Sequence, residues 1–537
     1  MNVTGQIGHY ERYSSDAQSY ITDRFKKLVK RSQSENYQKS SSQKYDTATF
    51  SEEAKQLAKP HEETIVSAST KSGKTIVLEK ISKSGAESGN SEDLFEYKVN
   101  VYGSNGKLES SFALKNDTIL SENADGTLRI GTYKSGDETR GDDIIIGMSG
   151  SDLRGGRGND LIIDISRDIN PNQYHYCRNP FASIESGSGD DRIILSGGMY
   201  SGIGIINTGS GEDTVESAHV ISSVDIDTGE GNDIVNLYSL ASGSVNTGRG
   251  ADRIISYGGI LAGDFDTGDG NDTIRTNSFH GELKMGKGND SMVAKSNISL
   301  SDESDMGRGN DYITTKGELS GKYLNMGIGS DTINVEGRLS VATLDIGSGD
   351  NEIKCNKSSA RIFAGNGDNH IEANNISGKV LMGSGNNEID VTENLSGDVY
   401  STGGNNYIKS RRQTGALNLG SGNDTVITNE MSCDANLGGG NDHVVVKGLL
   451  SGSLDSGGGD NIIQAQDVIG EVNLGKGTNV FMVHNFLNVE GLTMEGDSNN
   501  VRVGGSIGGG KIEKVELWSG FTLYKDSRWR MSYKDIA

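Results

Sequence analysis

Apolar residues return along most of this chain about every 19 residues, each at a fixed offset from a polar position. One column is Val215, Val235, Ile254, Ile274, Ile313, Ile333, Ile353, Ile371, Ile389, Ile408, Val426 and Val444. A second is Ile226, Val245, Phe265, Leu283, Leu324, Leu344, Val380, Leu417, Leu454 and Val472. Side chains alternate faces along a strand, so each column can point inward. Between the columns lie Ser-Gly steps, as at Ser242-Gly243, Ser320-Gly321, Ser377-Gly378, Ser396-Gly397 and Ser451-Gly452, where Gly lets the backbone turn. Each repeat therefore reads as loop, strand, Ser-Gly corner, strand. One such coil cannot bury its own apolar column, whereas stacked neighbours can. The expectation is an all-β protein dominated by a parallel β-roll or β-solenoid of about 17–19 coils. Seventeen coils at about 4.8 Å would make a rod of roughly 80 Å.

The rest of the chain breaks the period. Residues 1–60 are polar, with one short helix expected after Asp16, carrying Ala17, Ile21, Phe25 and Leu28 on one face. Residues 64–135 contain TIVSAS, KTIVLEKIS, FEYKVNVYG, KLESSFAL and TLRIGTY, which predict a small antiparallel β-domain. Ser104-Asn105-Gly106 falls between two of these strands as a hairpin turn. The repeats run over 139–503. Residues 504–537 hold both tryptophans, Trp518 and Trp529, and are expected to cap the open end of the solenoid; an export signal in the same segment is compatible with that.

Composition sharpens this picture. The chain has 76 Gly in 537 residues but only 3 Pro, none after residue 180. A disordered or collagen-like Gly-rich chain carries far more Pro, and a stacked sheet must avoid it because each missing N–H removes a ladder bond. The formal charge of −23 argues against a nucleic-acid partner. It fits either a soluble acidic surface or neutralisation by cations. Cys177, Cys355 and Cys433 are too scattered for a disulfide framework. The first twenty residues lack an apolar core of the secretory type, and no span is apolar enough to cross a membrane.

The polar position anchoring the repeat carries the candidate chemistry. It stands in motifs such as GSGEDTV, GEGNDIV, GDGNDTI and GKGNDSM, at spacings of 18 to 22 residues. It is Asp191, Asp213, Asp233, Asp252, Asp272, Asp290, Asp311 and Asp331, then Asn351, Asn369, Asn387 and Asn406, then Asp424 and Asp442, and finally Asn461, Asn479 and Asn499. The paired glycines before the acidic residues are Gly209 and Gly211, Gly229 and Gly231, Gly248 and Gly250, Gly268 and Gly270, Gly286 and Gly288, Gly307 and Gly309, Gly327 and Gly329, Gly420 and Gly422, and Gly438 and Gly440. Two glycines one residue apart bend the chain tightly and expose its carbonyls, and the carboxylate adds a hard charged oxygen. Calcium takes 6–8 oxygen ligands in irregular geometry. One loop cannot supply them, but two loops stacked about 4.8 Å apart can. Several Ca2+ ions between coils are therefore expected. The alternative is a metal-free β-helix held by side-chain ladders. In the Asn stretch, Asp350 and Asp368 stand one residue earlier and offer a second route to metal binding.

The opening of the array, GDDIIIGMSGSDLRGGRGNDLII over 141–163, resembles the RTX (repeats-in-toxin) nonapeptide repeats, and Gly155-Gly156-Arg157-Gly158-Asn159-Asp160 is a full GGxGxD. The resemblance covers about 141–503. It implies that loop glycine carbonyls, those of Gly155, Gly156 and Gly158 included, bind calcium together with the Asp carboxylates, and that each ion lies between loops one coil apart. It implies that Asp143 and Asp160 share one edge, with Asp152 on the other. It also implies type I export without a cleaved N-terminal signal and folding in external calcium. The chain departs from the family after residue 164: the motif occurs once per coil, the first Gly is replaced by Thr, Met, Ile, Leu or Ser, and Asp is often Asn.

No enzymatic motif is complete. His61-Glu62-Glu63-Thr64-Ile65 lacks the second His of a zinc protease, Ser72-Gly73-Lys74-Thr75 follows Ala68 where a phosphate loop needs Gly, and no GxSxG is present. The leading expectation is a non-enzymatic, calcium-binding structural or surface protein, secreted or held at the cell surface. The alternatives are a polysaccharide lyase or epimerase built on a β-helix, an adhesin that binds surface or extracellular glycans, and an ice-binding surface using Thr208, Thr228, Thr247 and Thr267.

Overall fold

The computed structural model describes residues 62–82, 95–165 and 183–503, together with strands at 506–507, 521–525 and 529–533. Excepted are 124, 126, 135, 137–139, 149–151, 196–199, 494 and 496–498. The expected helix within 1–60, Cys177, and the side chains of the expected cap over 504–537 lie outside the described residues.

A 35-stranded sheet winds through the protein as a β-solenoid of about seventeen turns. Its coils pair in parallel and in register. Val215 lies opposite Val235, which lies opposite Ile254, and the row continues through Ile274, Met292, Ile313 and Ile333. Both apolar columns read from the sequence are interior, every member being 2% exposed or less. The core is one continuous apolar row from Ile119 to Val501, and it includes an edge-to-face pair, Phe265 and Phe279, with ring centroids 5.5 Å apart.

Four antiparallel strands precede it: β1 (Glu62–Ser69), β2 (Thr75–Ser82), β3 (Phe95–Tyr102) and β4 (Leu108–Ala113). Gly106, at φ 74°, makes the β3–β4 turn and donates to the Gly103 carbonyl at 2.8 Å. The TLRIGTY strand pairs elsewhere. Together β5 (Thr118–Glu122) and β6 (Leu128–Thr132) form a hairpin that joins the long sheet, β5 lying antiparallel to β7 (Asp143–Gly147), the first strand of the solenoid. That hairpin covers an edge that would otherwise present unpaired backbone. The four-stranded sheet packs Ile76, Leu78, Val99 and Val101 against Leu120, Ile146, Ile163 and Ile165, which ties it to the first coils.

Four of the five Ser-Gly steps fall where expected, between the two strands of a coil: at Gly243, Ser377-Gly378, Ser396-Gly397 and Ser451-Gly452. The exception is Gly321, which lies inside a strand, Leu319–Asn325. Only Gly243 of the five has the left-handed φ that favours glycine, at 130°. A Cβ on Gly378, Gly397 or Gly452 would collide with the carbonyl of Ala360, Gly378 or Cys433 in the preceding coil. Close approach of the coils therefore adds to the turn as a reason for glycine at these corners.

Candidate functional site: a buried ladder of carboxylates

The loop Thr208-Gly209-Ser210-Gly211-Glu212-Asp213 shows how each coil sets its acidic residue. Gly209 and Gly211 take φ of 94° and 135°, in the region that side chains disfavour. A Cβ on Gly211 would run into the Gly189 carbonyl of the coil before. The first glycine's carbonyl is committed to the sheet: Glu230 N–H donates to Gly209 O at 3.0 Å. The bend that follows turns Asp213 inward, where it is fully buried.

Stacking repeats this geometry. Each backbone N–H at the Asp position donates to Oδ1 of the equivalent residue in the next coil. The bonds run from Asp143 to Asp160 (2.8 Å), Asp191 (2.7 Å), Asp213 (2.8 Å), Asp233 (2.8 Å), Asp252 (2.7 Å), Asp272 (2.8 Å), Asp290 (2.7 Å), Asp311 (2.8 Å) and Asp331 (2.8 Å). The same bond joins Asp331 to Asn351 (2.9 Å), Asp424 to Asp442 (2.8 Å) and Asp442 to Asn461 (2.8 Å).

From Asp160 onward Oδ1 of each ladder Asp is thus satisfied, while Oδ2 is not. The Oδ2 atoms of Asp160, Asp191, Asp213, Asp233, Asp252, Asp272, Asp290, Asp311, Asp331, Asp424 and Asp442 are buried with no hydrogen-bond partner. The hydroxyl of Thr208, beside Asp213, donates to the Thr228 carbonyl at 3.0 Å. Burying a charged oxygen without a donor or counter-ion is strongly unfavourable. Desolvation accordingly pushes these carboxyls up from 3.8: to about 8 for Asp191 and Asp290, to about 7 for Asp160, Asp213, Asp311 and Asp442, and to about 6 for Asp233, Asp252, Asp272, Asp331 and Asp424. The amide bond to Oδ1 opposes the rise in each case, and a nearby hydroxyl opposes it further at Asp191 (Ser186), Asp213 (Thr208), Asp233 (Thr228), Asp252 (Thr247) and Asp272 (Thr267), although none is a hydrogen-bond partner of Oδ2.

The Asn coils show what surrounds the second atom of the side chain. Asn351 Nδ2 donates to the Gly349 carbonyl in its own loop at 3.0 Å and to Asn369 Oδ1 in the next coil at 2.9 Å. Asn369 Nδ2 does the same with Gly367 O and Asn387 Oδ1, both at 3.0 Å. Asn387 Nδ2 reaches Gly385 O at 3.1 Å and Asn406 Oδ1 at 3.0 Å, and Asn406 Nδ2 reaches Gly404 O at 2.9 Å and Asp424 Oδ1 at 2.8 Å. In each of these Asn coils Nδ2 thus bonds two acceptors, the second glycine's carbonyl and the next coil's Oδ1. The Asp side chains take the same buried ladder place, and at Asp160 Oδ2 lies against Gly155.

The structure gathers most of the acidic residues named from the sequence into this ladder, and it places Asp143 and Asp160 on one edge. Asp152 is apart from it. That residue is exposed, and its Oδ1 accepts from Ser183 N–H at 2.8 Å and Ser183 Oγ at 3.1 Å. Gly155 lies against the ladder, since a Cβ there would collide with Asp160 Oδ2. Among the described residues no three His, Cys, Asp or Glu side chains converge at one point. Each position pairs a carboxylate with main-chain carbonyls and the next coil's side chain. Cys355 and Cys433 are free and buried, their thiols pushed up to about 12 by burial.

A second ladder went unread in the sequence. The residue before the ladder position is Asn or Asp in most coils, largely exposed, and its Oδ1 accepts from the following coil, as in Asn289 N–H to Asn271 (2.7 Å), Asn310 N–H to Asn289 (2.7 Å) and Asp368 N–H to Asp350 (2.8 Å). The frequent Asn or Asp at that place, the N of GND, was the available signal. Asp350 and Asp368 belong to this outer row and not to the buried one.

These features define a β-solenoid repeat protein with a stacked, buried Asp ladder suited to holding ions. Comparison with protein-family models, with curated proteins and with solved structures finds no match.

Proposed function

We propose that this chain is a calcium-binding, non-enzymatic structural or surface protein of the RTX kind, exported from the cell and folding when it meets calcium. One observation carries the reading: every fully bonded Asp coil from Asp160 to Asp331, and again at Asp424 and Asp442, buries one carboxylate oxygen that has no donor. A cation beside that oxygen would meet oxygen ligands, from the carboxylate, the loop carbonyls and the next coil's side chain. An all-oxygen set with variable geometry suits calcium, while zinc favours nitrogen and sulfur ligands and magnesium a near-ideal octahedron. Each ion would bridge two coils and neutralise stacked charge, so binding free energy becomes folding free energy.

Titrating calcium into chelated protein tests this. The β-signal and the melting temperature should rise at roughly 0.1–1 mM, the range of extracellular modules. A spectrum and a melting curve that stay unchanged across that range would rule the reading out.

A further inference from the structure

We infer that Asn351, Asn369, Asn387 and Asn406 do with their own amide N–H groups what a cation does in the Asp coils, so that these four coils form a metal-independent block between two separate rows of ion sites. The ion half of this inference rests on the function proposed above. The amide half stands on geometry alone.

Donors and acceptors decide the matter. In the Asn coils the position is bounded by the second loop glycine's carbonyl and the following coil's Oδ1, two acceptors that together require a donor or a positive charge. Where the side chain is Asn, Nδ2 carries two N–H groups and bonds to both acceptors, at 2.8–3.1 Å in all four coils. Where it is Asp, a third oxygen enters the same space and is left unbonded in eleven coils. Among the described residues no ladder Asn has an orphaned side-chain atom and no Oδ2 from Asp160 to Asp331 has a partner. The chain thus contains its own comparison, one fold with two solutions to the same electrostatic problem.

The sites at the block's margins follow. Asp331 is the last acidic residue of the first row, and it looks onto Asn351 Oδ1, a neutral oxygen. The second row begins at Asp424, because Asn406 already occupies the position before it. Ions cannot form a continuous file along the rod.

Two substitutions in the full-length protein separate the cases, with melting measured in chelator at alkaline pH and bound calcium counted by equilibrium dialysis. Asp272→Asn gives a buried acceptor pair the donor it lacks. Its metal-free melting temperature should rise by about 2 °C or more, while its calcium count falls by about one. Asn406→Asp removes a donor next to Asp424. Its metal-free melting temperature should fall by a similar amount, and its calcium count should rise by about one, because the new position has a carboxylate on each side. If Asp272→Asn melts no higher than the parent in chelator, the inference is wrong, even if Asn406→Asp proves too unstable to measure. If the parent binds no calcium, the proposed function falls, and the two chelated melting curves still decide whether Asn supplies the missing donor.

Discussion

Asn351 and Asn369 are joined through the same carboxamide oxygen twice, once from the backbone N–H at 3.4 Å and once from the side-chain Nδ2 at 2.9 Å. Asp311 and Asp331 are joined once, by the backbone N–H at 2.8 Å. The missing second bond is the local difference between the two kinds of coil, and its effects are measurable.

The two coils that share a side chain should both respond when it is removed. Asp272 offers Oδ2 at its own position and Oδ1 to the position of Asp252. Asp272→Ala should therefore weaken two ions, whereas Asn387→Ala should remove none. Equilibrium dialysis of calcium checks this, and equal losses in the two variants would contradict the assignment.

Hydrogen exchange in chelator should separate the blocks. Amides near 351–408 sit in coils whose inner ladder is complete without an ion. They should exchange more slowly than amides near 213–333, where stacked carboxylates repel. Equal rates in the two regions would show that the amide ladder gives no local advantage.

Stability in chelator should depend on pH in an unusual direction. The buried carboxyls hold protons more tightly when folded, having risen from 3.8 to between about 6 and about 8. Protonation therefore favours the fold. The stabilisation is complete below 3.8 and is lost as pH rises through about 6 to about 8. The chelated melting temperature should fall across that window, and saturating calcium should flatten or reverse the trend. A chelated melting temperature that climbs with pH there would contradict the burial of these groups.

The loop glycines should differ sharply in tolerance. Gly250 has φ 141°, and a Cβ there would strike the Gly231 carbonyl, whereas Gly458 has nothing within 4 Å of its would-be Cβ. Gly250→Ala should cost about 3 kcal/mol in a denaturant titration, combining backbone strain with the clash. Gly458→Ala should change stability by under about 1 kcal/mol.

Much of this architecture was legible in the sequence, because a solenoid writes each interior column at a constant offset. Val215 and Val235 face each other because they hold the same place in successive repeats, and the Asp ladder was legible for the same reason. The Ser-Gly corners were legible as well, except at Ser320-Gly321, which lies inside a strand; the second reason for glycine at Gly378 and Gly397, a neighbouring coil's carbonyl, leaves no local signature. The orphaned Oδ2 atoms were also beyond reach. Sequence places Asp213 in the loop, but only the fold shows that its Oδ1 is already bonded to Asp191 and that its other oxygen is buried without a hydrogen-bond partner. The pairing of β6 with β5, and through β5 with the solenoid, followed from topology, since TLRIGTY would suit either sheet.

The collisions that forbid side chains at the loop glycines leave the residue between each pair unconstrained. Ser210, Glu230, Arg249, Asp269, Lys287, Arg308, Ile328 and Ser348 all occupy that place, all are exposed, and successive members are bridged backbone to backbone. They share no chemistry, although Lys287 pairs with Asp269 at 2.9 Å and Arg249 with Glu230 at 3.6 Å. Spacing along this edge is fixed by what cannot vary, and identity is left open. The edge is in effect a ruler with one writable mark per coil, about 4.8 Å apart, on which new surface patterns can be composed without disturbing the interior that holds the marks in line.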